Sequence, residues 1–145
     1  MPRRIVTGLD PDGKSAVHIS DDIGRSRGEL AWMTTSVPAD NDTMPRLDDV
    51  VVGFDLMHSA ASTFLLVRTP PGSSFAMHAT NTIDYVTMIS GHITFGVETG
   101  EVTLSAGDLL IDRGVLHSWR NDGAEDAVYS VVTMPATAVG PGPTL

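Results

Sequence analysis

Two histidines and an aspartate carry the most chemical promise in this sequence. His78, Asp84 and His117 lie in two glycine-punctuated blocks, Gly72 to Gly91 and Gly107 to Asn121, separated by strand-like sequence. Imidazole and carboxylate are side chains that hold divalent transition metals and that move protons near neutral pH. A β-barrel is one way to bring such groups from distant strands to one point. Six residues of straight strand would hold His78 and Asp84 roughly 20 Å apart, whereas ligands sit about 2 Å from a shared ion. The chain must therefore bend between them if both bind. Thr80-Asn81-Thr82 supplies a bend, because Asn tolerates left-handed geometry and short hydroxylated side chains bond their own backbone. This predicts two antiparallel strands with His78 and Asp84 on adjacent ladders; the competing reading is an ordinary hairpin with a half-buried His and a surface Asp.

The intervals of both blocks resemble the two motifs of the cupin superfamily. Gly72, His78, Thr80, Asp84 and Gly91 stand at the spacings of the first motif, and Gly107, Gly114, His117 and Asn121 follow the second. The second block is one residue shorter before Gly114 and lacks the usual proline. What the resemblance implies is a small single-domain cupin of the conserved-barrel type, an all-β jelly-roll barrel. Metal-binding cupins supply two His and a Glu from the first motif, whereas here those positions read His78, Thr80 and Asp84. His78, Asp84 and His117 are then the expected ligands of one divalent transition metal, Zn, Fe, Mn or Ni. A metal-free barrel is the other expectation, since Asp84 is one methylene shorter than Glu and Thr80 is a poor ligand.

Within such a barrel, alternate residues face the lumen. His78, Thr80, Asp84, Val86 and Met88 are expected inside, and Phe75, Met77, Thr80, Met88, Trp119 and Arg68 are expected to form the substrate pocket. Tyr85 and His92 are the candidate proton carriers, Tyr85 against the period-two expectation that it points away. Arg68 and Arg113 are candidates to clamp a substrate carboxylate, with structural ion pairing as the alternative. Three readings of function follow. The leading one is a metal-dependent lyase that dehydrates, decarboxylates or isomerises a small apolar or aromatic oxygenated metabolite. The alternatives are a metal-free module that binds or senses a small molecule, and an Fe(II)-dependent dioxygenase.

The elements that must position these residues are short strands, because turn signals recur every eight to twelve residues. Arg4 to Thr7 and Ser15 to Ser20 read as a hairpin about Asp10-Pro11-Asp12-Gly13, with His18 on the opposite face from Val17 and Ile19. Asp21 to Gly28 reads as a loop and Glu29 to Ser36 as a strand with Leu30 and Trp32 on one face. Pro38 to Asp49 has no hydrophobic period and reads as a long excursion or a mobile lid, with a disordered surface loop as the favoured alternative. Val50 to Met57 reads as a short strand, and Thr63 to Thr69 as a buried one stopped by Pro70-Pro71-Gly72. Strands at His92 to Glu98, Val102 to Leu104, Asp108 to Asp112, Leu116 to Asn121 and Asp126 to Met134 complete the set. The barrel is expected over residues 1–134, with 135–145 as a flexible tail.

Composition bounds the remainder. At 145 residues the chain is expected to form one domain. Eighteen acidic against nine basic side chains give a net charge of -9, a field that repels phosphate backbones and argues against nucleic acid as a partner. No apolar run approaches the about 18 residues of a membrane span. The absence of cysteine removes disulfides and thiolate chemistry together. Lys14, the only lysine, flanks a turn, which argues against Schiff-base catalysis. The start Met1-Pro2-Arg3-Arg4 lacks a long apolar core, so a cytoplasmic protein is expected. A homodimer acting on a small molecule is what the resemblance adds.

Overall fold

Side-chain alternation along the strands decides the architecture. In the computed structural model, which describes residues 1–140, the strands are β1 (Arg3–Leu9), β2 (Ser15–Asp22), β3 (Gly28–Thr34), β4 (Ser62–Thr69), β5 (Ser74–His78), β6 (Thr82–Ser90), β7 (His92–Val97), β8 (Gly100–Ser105), β9 (Leu109–Asp112), β10 (His117–Arg120) and β11 (Ala127–Pro135). A four-residue helix, α1 (Phe54–Met57), precedes β4. A five-stranded antiparallel sheet runs β3-β4-β11-β6-β9, a four-stranded one runs β5-β10-β7-β8, and β1 and β2 pair as a separate hairpin. Two antiparallel sheets enclosing one core make the all-β jelly-roll barrel.

The core follows from register. Leu65, Val131, Val86 and Leu110 occupy paired positions across β4, β11, β6 and β9 and face inward together. From the other sheet they meet Ile93, Phe95, Leu104 and Trp119. Each fully buried aliphatic side chain contributes about 1.5–3 kcal/mol of burial free energy, so this layer dominates the stability of the barrel. Leu66 and Val128 point out of the same sheet and pack with Ile23 and Ala31, so the continuous apolar run of β4 is buried on both faces. Phe64 is the exception, exposed on the outer face.

Several sequence expectations are corrected. The bend at Thr80-Asn81-Thr82 is present but uses no left-handed Asn, since among the described residues only glycines have positive φ; β5 and β6 do not form a hairpin, because they belong to different sheets and the chain crosses the barrel between them. A bulge between Leu30 and Trp32 breaks the alternation of β3, sending Leu30 to the core and Trp32 to an outer groove with Arg4 and Ile19. The expected strand at Val50 to Met57 is irregular up to Gly53 and helical from Phe54 to Met57, where the amides of Leu56 and Met57 both donate to the Gly53 carbonyl. Asp21 and Asp22 belong to β2 rather than to the following loop. The barrel also reaches past residue 134, because Pro135 pairs with Thr82 and the Ala136 amide donates to Asn81. The expected flexible tail otherwise lies partly outside the described residues.

Candidate functional site

His78 ends β5 and His117 opens β10, and the two are direct cross-strand partners. Their rings consequently lie 4.4 Å apart between centroids, tilted by 57°. Each histidine is fixed in the same way: Nδ1 of His78 lies 2.8 Å from the Ala76 carbonyl, and Nδ1 of His117 lies 2.8 Å from the Val115 carbonyl. A carbonyl only accepts, so both Nδ1 atoms carry the proton and both Nε2 atoms keep the lone pair. Phe95 stacks on His117 at 5.1 Å, and Phe54 meets His78 edge-on at 5.7 Å. Neither imidazole is free to turn.

Behind His117 lies Asp112, at the end of β9. Its Oδ1 accepts from the amides of Gly114 and Val115, and its Oδ2 sits 3.0 Å from His117 Nδ1. Because the Nδ1 proton is directed at Val115, Oδ2 makes no hydrogen bond of its own and acts as a buried negative charge beside the ring. Gly114 permits this turn: its φ is +74°, and a Cβ there would lie 3.0 Å and 3.1 Å from the carbonyls of Thr82 and Thr80. Burial holds the His117 pKa below its ordinary value, opposed by the Val115 carbonyl and the Asp112 charge. The ring is a neutral base at neutral pH.

The imidazoles face a cavity of about 430 Å³, open to solvent and lined by both sheets and α1. Trp119 and Tyr129, stacked at 5.4 Å, wall one side, and Phe54 and Met57 from α1 close another. Threonines make the opposite side polar: Thr80 and Thr82 share a hydrogen bond of 2.7 Å, and Thr133 pairs with Asp84 across β11 and β6. Asp84 lines the cavity there, with Oδ1 buried and without a hydrogen-bond partner. Burial raises its pKa to about 6; the Asp112 charge adds to the rise and a Thr82 hydrogen bond opposes it.

The expected metal centre is not assembled. Among the described residues no three His, Cys, Asp or Glu side chains form a group able to hold a metal ion. The donor set limits it: Asp84, paired with Asp112 across β6 and β9, lacks the methylene that Glu would add. Thr80 stands where a further imidazole would be. Two nitrogen donors remain, which do not fit a centre needing three protein ligands.

The other expected residues divide. Thr80, Phe75, Trp119 and Arg68 line the cavity, with Phe75 half exposed at its rim. Met77 does not line it and stands exposed, one step out of phase with His78 on β5. Met88 is sealed in the core at 1 % exposure, beyond the reach of a ligand. Tyr85 lies on the outer face of β6, as strict alternation requires, and His92 is exposed at the start of β7 against Ser105. Neither is a proton carrier for this cavity. Asn121 is structural: its amide donates to the carbonyls of Thr69 and Glu125. Sequence reasoning missed Asp112, Phe54, Tyr129 and Arg27. Phe54 and Met57 do carry a faint signal, an i, i+3 apolar pair.

Comparison with known proteins agrees with this architecture. Residues 65–133 match the family described as Cupin domain. The chain is 32% identical over 136 residues to phomopsin biosynthesis cluster protein D of Diaporthe leptostromiformis, covering 83% of this chain and 70% of that protein. It is 33% identical over 97 residues to oryzines biosynthesis cluster protein J of Aspergillus oryzae, covering 63% of this chain and 54% of that one. A conserved Klebsiella pneumoniae protein with a double-stranded β-helix domain is similar in structure, with a TM-score of 0.48 and 28% identity over 54% of this chain and 70% of that chain. With the family match spanning both histidines and the barrel that surrounds them, this chain belongs to the cupin family.

Proposed function

We propose that this cupin is a lyase-type enzyme that acts by general acid–base catalysis on a small, largely apolar, oxygenated metabolite. The observation that carries the reading is His117: buried, neutral, fixed in one tautomer by Val115 and flanked by the Asp112 carboxylate, with its lone pair on Nε2. In a dehydration, His117 takes the proton from a carbon beside a carbonyl, and the electron pair forms the new double bond as the carbon–oxygen bond breaks. Asp84 in its protonated form gives its proton to the departing hydroxyl, which leaves as water. A carboxyl with a pKa of about 6 suits that role near neutral pH. His78, with its proton held on Nδ1 by Ala76, accepts on Nε2 a hydrogen bond from the substrate's hydroxyl.

No step runs through a metal, because the donor set does not provide three ligands. The dioxygenase alternative needs the same ligands and draws no support from them. Similarity to two biosynthesis cluster proteins supports a metabolite as substrate. The same proposal includes a homodimer, supported by an exposed apolar row on the five-stranded sheet, and a cytoplasmic protein with no nucleic-acid partner, supported by the charge of -9. No helix among the described residues is long and apolar enough to cross a membrane.

The test is a screen of hydroxylated and keto-acid metabolites. One of them should be turned over by the wild type, with kcat lowered about 10²–10⁴-fold in His117→Gln while that variant stays folded. If the wild type binds such a compound tightly and never converts it, the metal-free binding module replaces the enzyme.

A further inference from the structure

The cavity mouth carries two guanidinium groups of unequal status. Arg68, on β4, donates from Nη1 to Asp126 at 2.8 Å and contacts the Gly24 carbonyl through Nε and Nη2, so its charge is already answered. Arg27, just before β3, lines the same cavity, and its side chain makes no hydrogen bond or ion pair among the described residues. Its backbone is nevertheless held firmly. The Arg27 carbonyl accepts the Arg68 amide at 2.8 Å, and the loop ahead of it is tied down by Glu29, whose Oε2 accepts from the amides of Gly24 and Arg25. Among the described residues Arg3, Arg25, Arg46 and Arg113 also have no side-chain partner, but Arg27 is the one unanswered cation that lines the cavity. Among the described residues Asp84 is the one carboxylate lining the cavity, and it is engaged by Thr82.

We infer that Arg27, supported by Arg68, forms a carboxylate-binding subsite at the cavity mouth. A planar guanidinium presents two parallel N–H donors that match the two oxygens of a carboxylate. A monoanion suits the site better than a phosphate dianion, since the acidic protein repels the second charge. The ligand then lies with its carboxylate at Arg27, its apolar body against Trp119 and Phe54, and its reacting oxygen toward the imidazoles. This deepens the acid–base reading by giving the substrate class, and it rests on that reading only for the identity of the reacting end.

Binding alone tests it, whether or not turnover occurs. Calorimetric titration with 3-phenylpropanoate, 3-phenylpropanol and 3-phenylpropyl phosphate compares the three end groups on one apolar body. Wild type should prefer the carboxylate to the alcohol by about tenfold or more. Arg27→Gln should lose that preference while keeping its affinity for the alcohol, and Arg27→Lys should restore part of it. Because Arg27 is exposed, both variants should melt with the wild type. The subsite is overturned if carboxylate and alcohol bind alike, if neither binds at millimolar concentration, if the phosphate binds tightest, or if Arg27→Gln keeps the preference. A failed turnover screen with the carboxylate preference intact would overturn the acid–base reading and leave the subsite standing.

Discussion

Asp84 leaves one buried carboxylate oxygen without a hydrogen bond, and its pKa of about 6 measures the cost of ionising it there. The folded protein holds this proton more tightly than the unfolded chain, whose carboxyl titrates near 3.8. The associated stability is full below that lower value and is lost as pH rises through about 6. Ionising the carboxyl in the folded rather than the unfolded chain costs at most about 3 kcal/mol. Asp84→Asn should therefore be more stable than wild type by about 2 kcal/mol near pH 8, with the difference closing near pH 4. Urea denaturation of both proteins across that range is the check; a variant less stable at about pH 8 would contradict it. In the proposed mechanism Asp112 positions His117, and Asp112→Asn should lower kcat about 10–100-fold and move the acid limb of the rate profile, set by His117 as general base, to lower pH, since the negative charge beside the ring is removed. His78 and His117 were legible because imidazole is rare and the motif spacings matched. Asp112 was not, because only folding shows that the end of β9 faces the back of His117.

Elements place these residues by a few backbone positions that tolerate no side chain. Gly91, between β6 and β7, has φ +71°, and a Cβ there would lie 2.3 Å from the Asp126 carbonyl oxygen. Gly107 has φ +93° but open space around it. Gly91→Ala should cost about 3 kcal/mol or more and Gly107→Ala about 1 kcal/mol, an order that urea midpoints will read directly. The strands themselves were readable from period and punctuation, since β1, β2, β4 and β6 to β11 fall near where alternation and turn residues put them. The failures have definite causes. A bulge in β3 shifted Trp32 outward, and burial of Leu56 drew a single helical turn from a segment with strand propensity. The pairing of β5 with β10 rather than β6 is a choice between sheets, which a bend at Asn81 leaves undetermined. Phe54 on that turn touches His78, so Phe54→Ala should weaken 3-phenylpropanoate about tenfold while leaving most of the stability intact.

On the scale of the whole molecule, Phe64, Val132, Tyr85 and Ile111 form one row across the outer face of four adjacent strands. Phe64, Tyr85 and Ile111 are 46%, 47% and 55% exposed, an apolar stripe suited to a second copy of the chain. Light scattering should give a dimer for wild type and a monomer for the double variant Tyr85→Glu, Ile111→Lys; a wild-type monomer would refute the interface. Tyr85 thus belongs to the outside of the barrel, where a strict period of two had placed it, and the proposed chemistry belongs to the inside with His117. The most direct test of that chemistry is the turnover rate of chelator-treated wild-type protein on the best substrate from the metabolite screen. The acid–base account predicts a rate within about twofold of untreated protein, because His117 and Asp84 do the work themselves. Loss of turnover on chelation, restored by one divalent ion per chain, would contradict it.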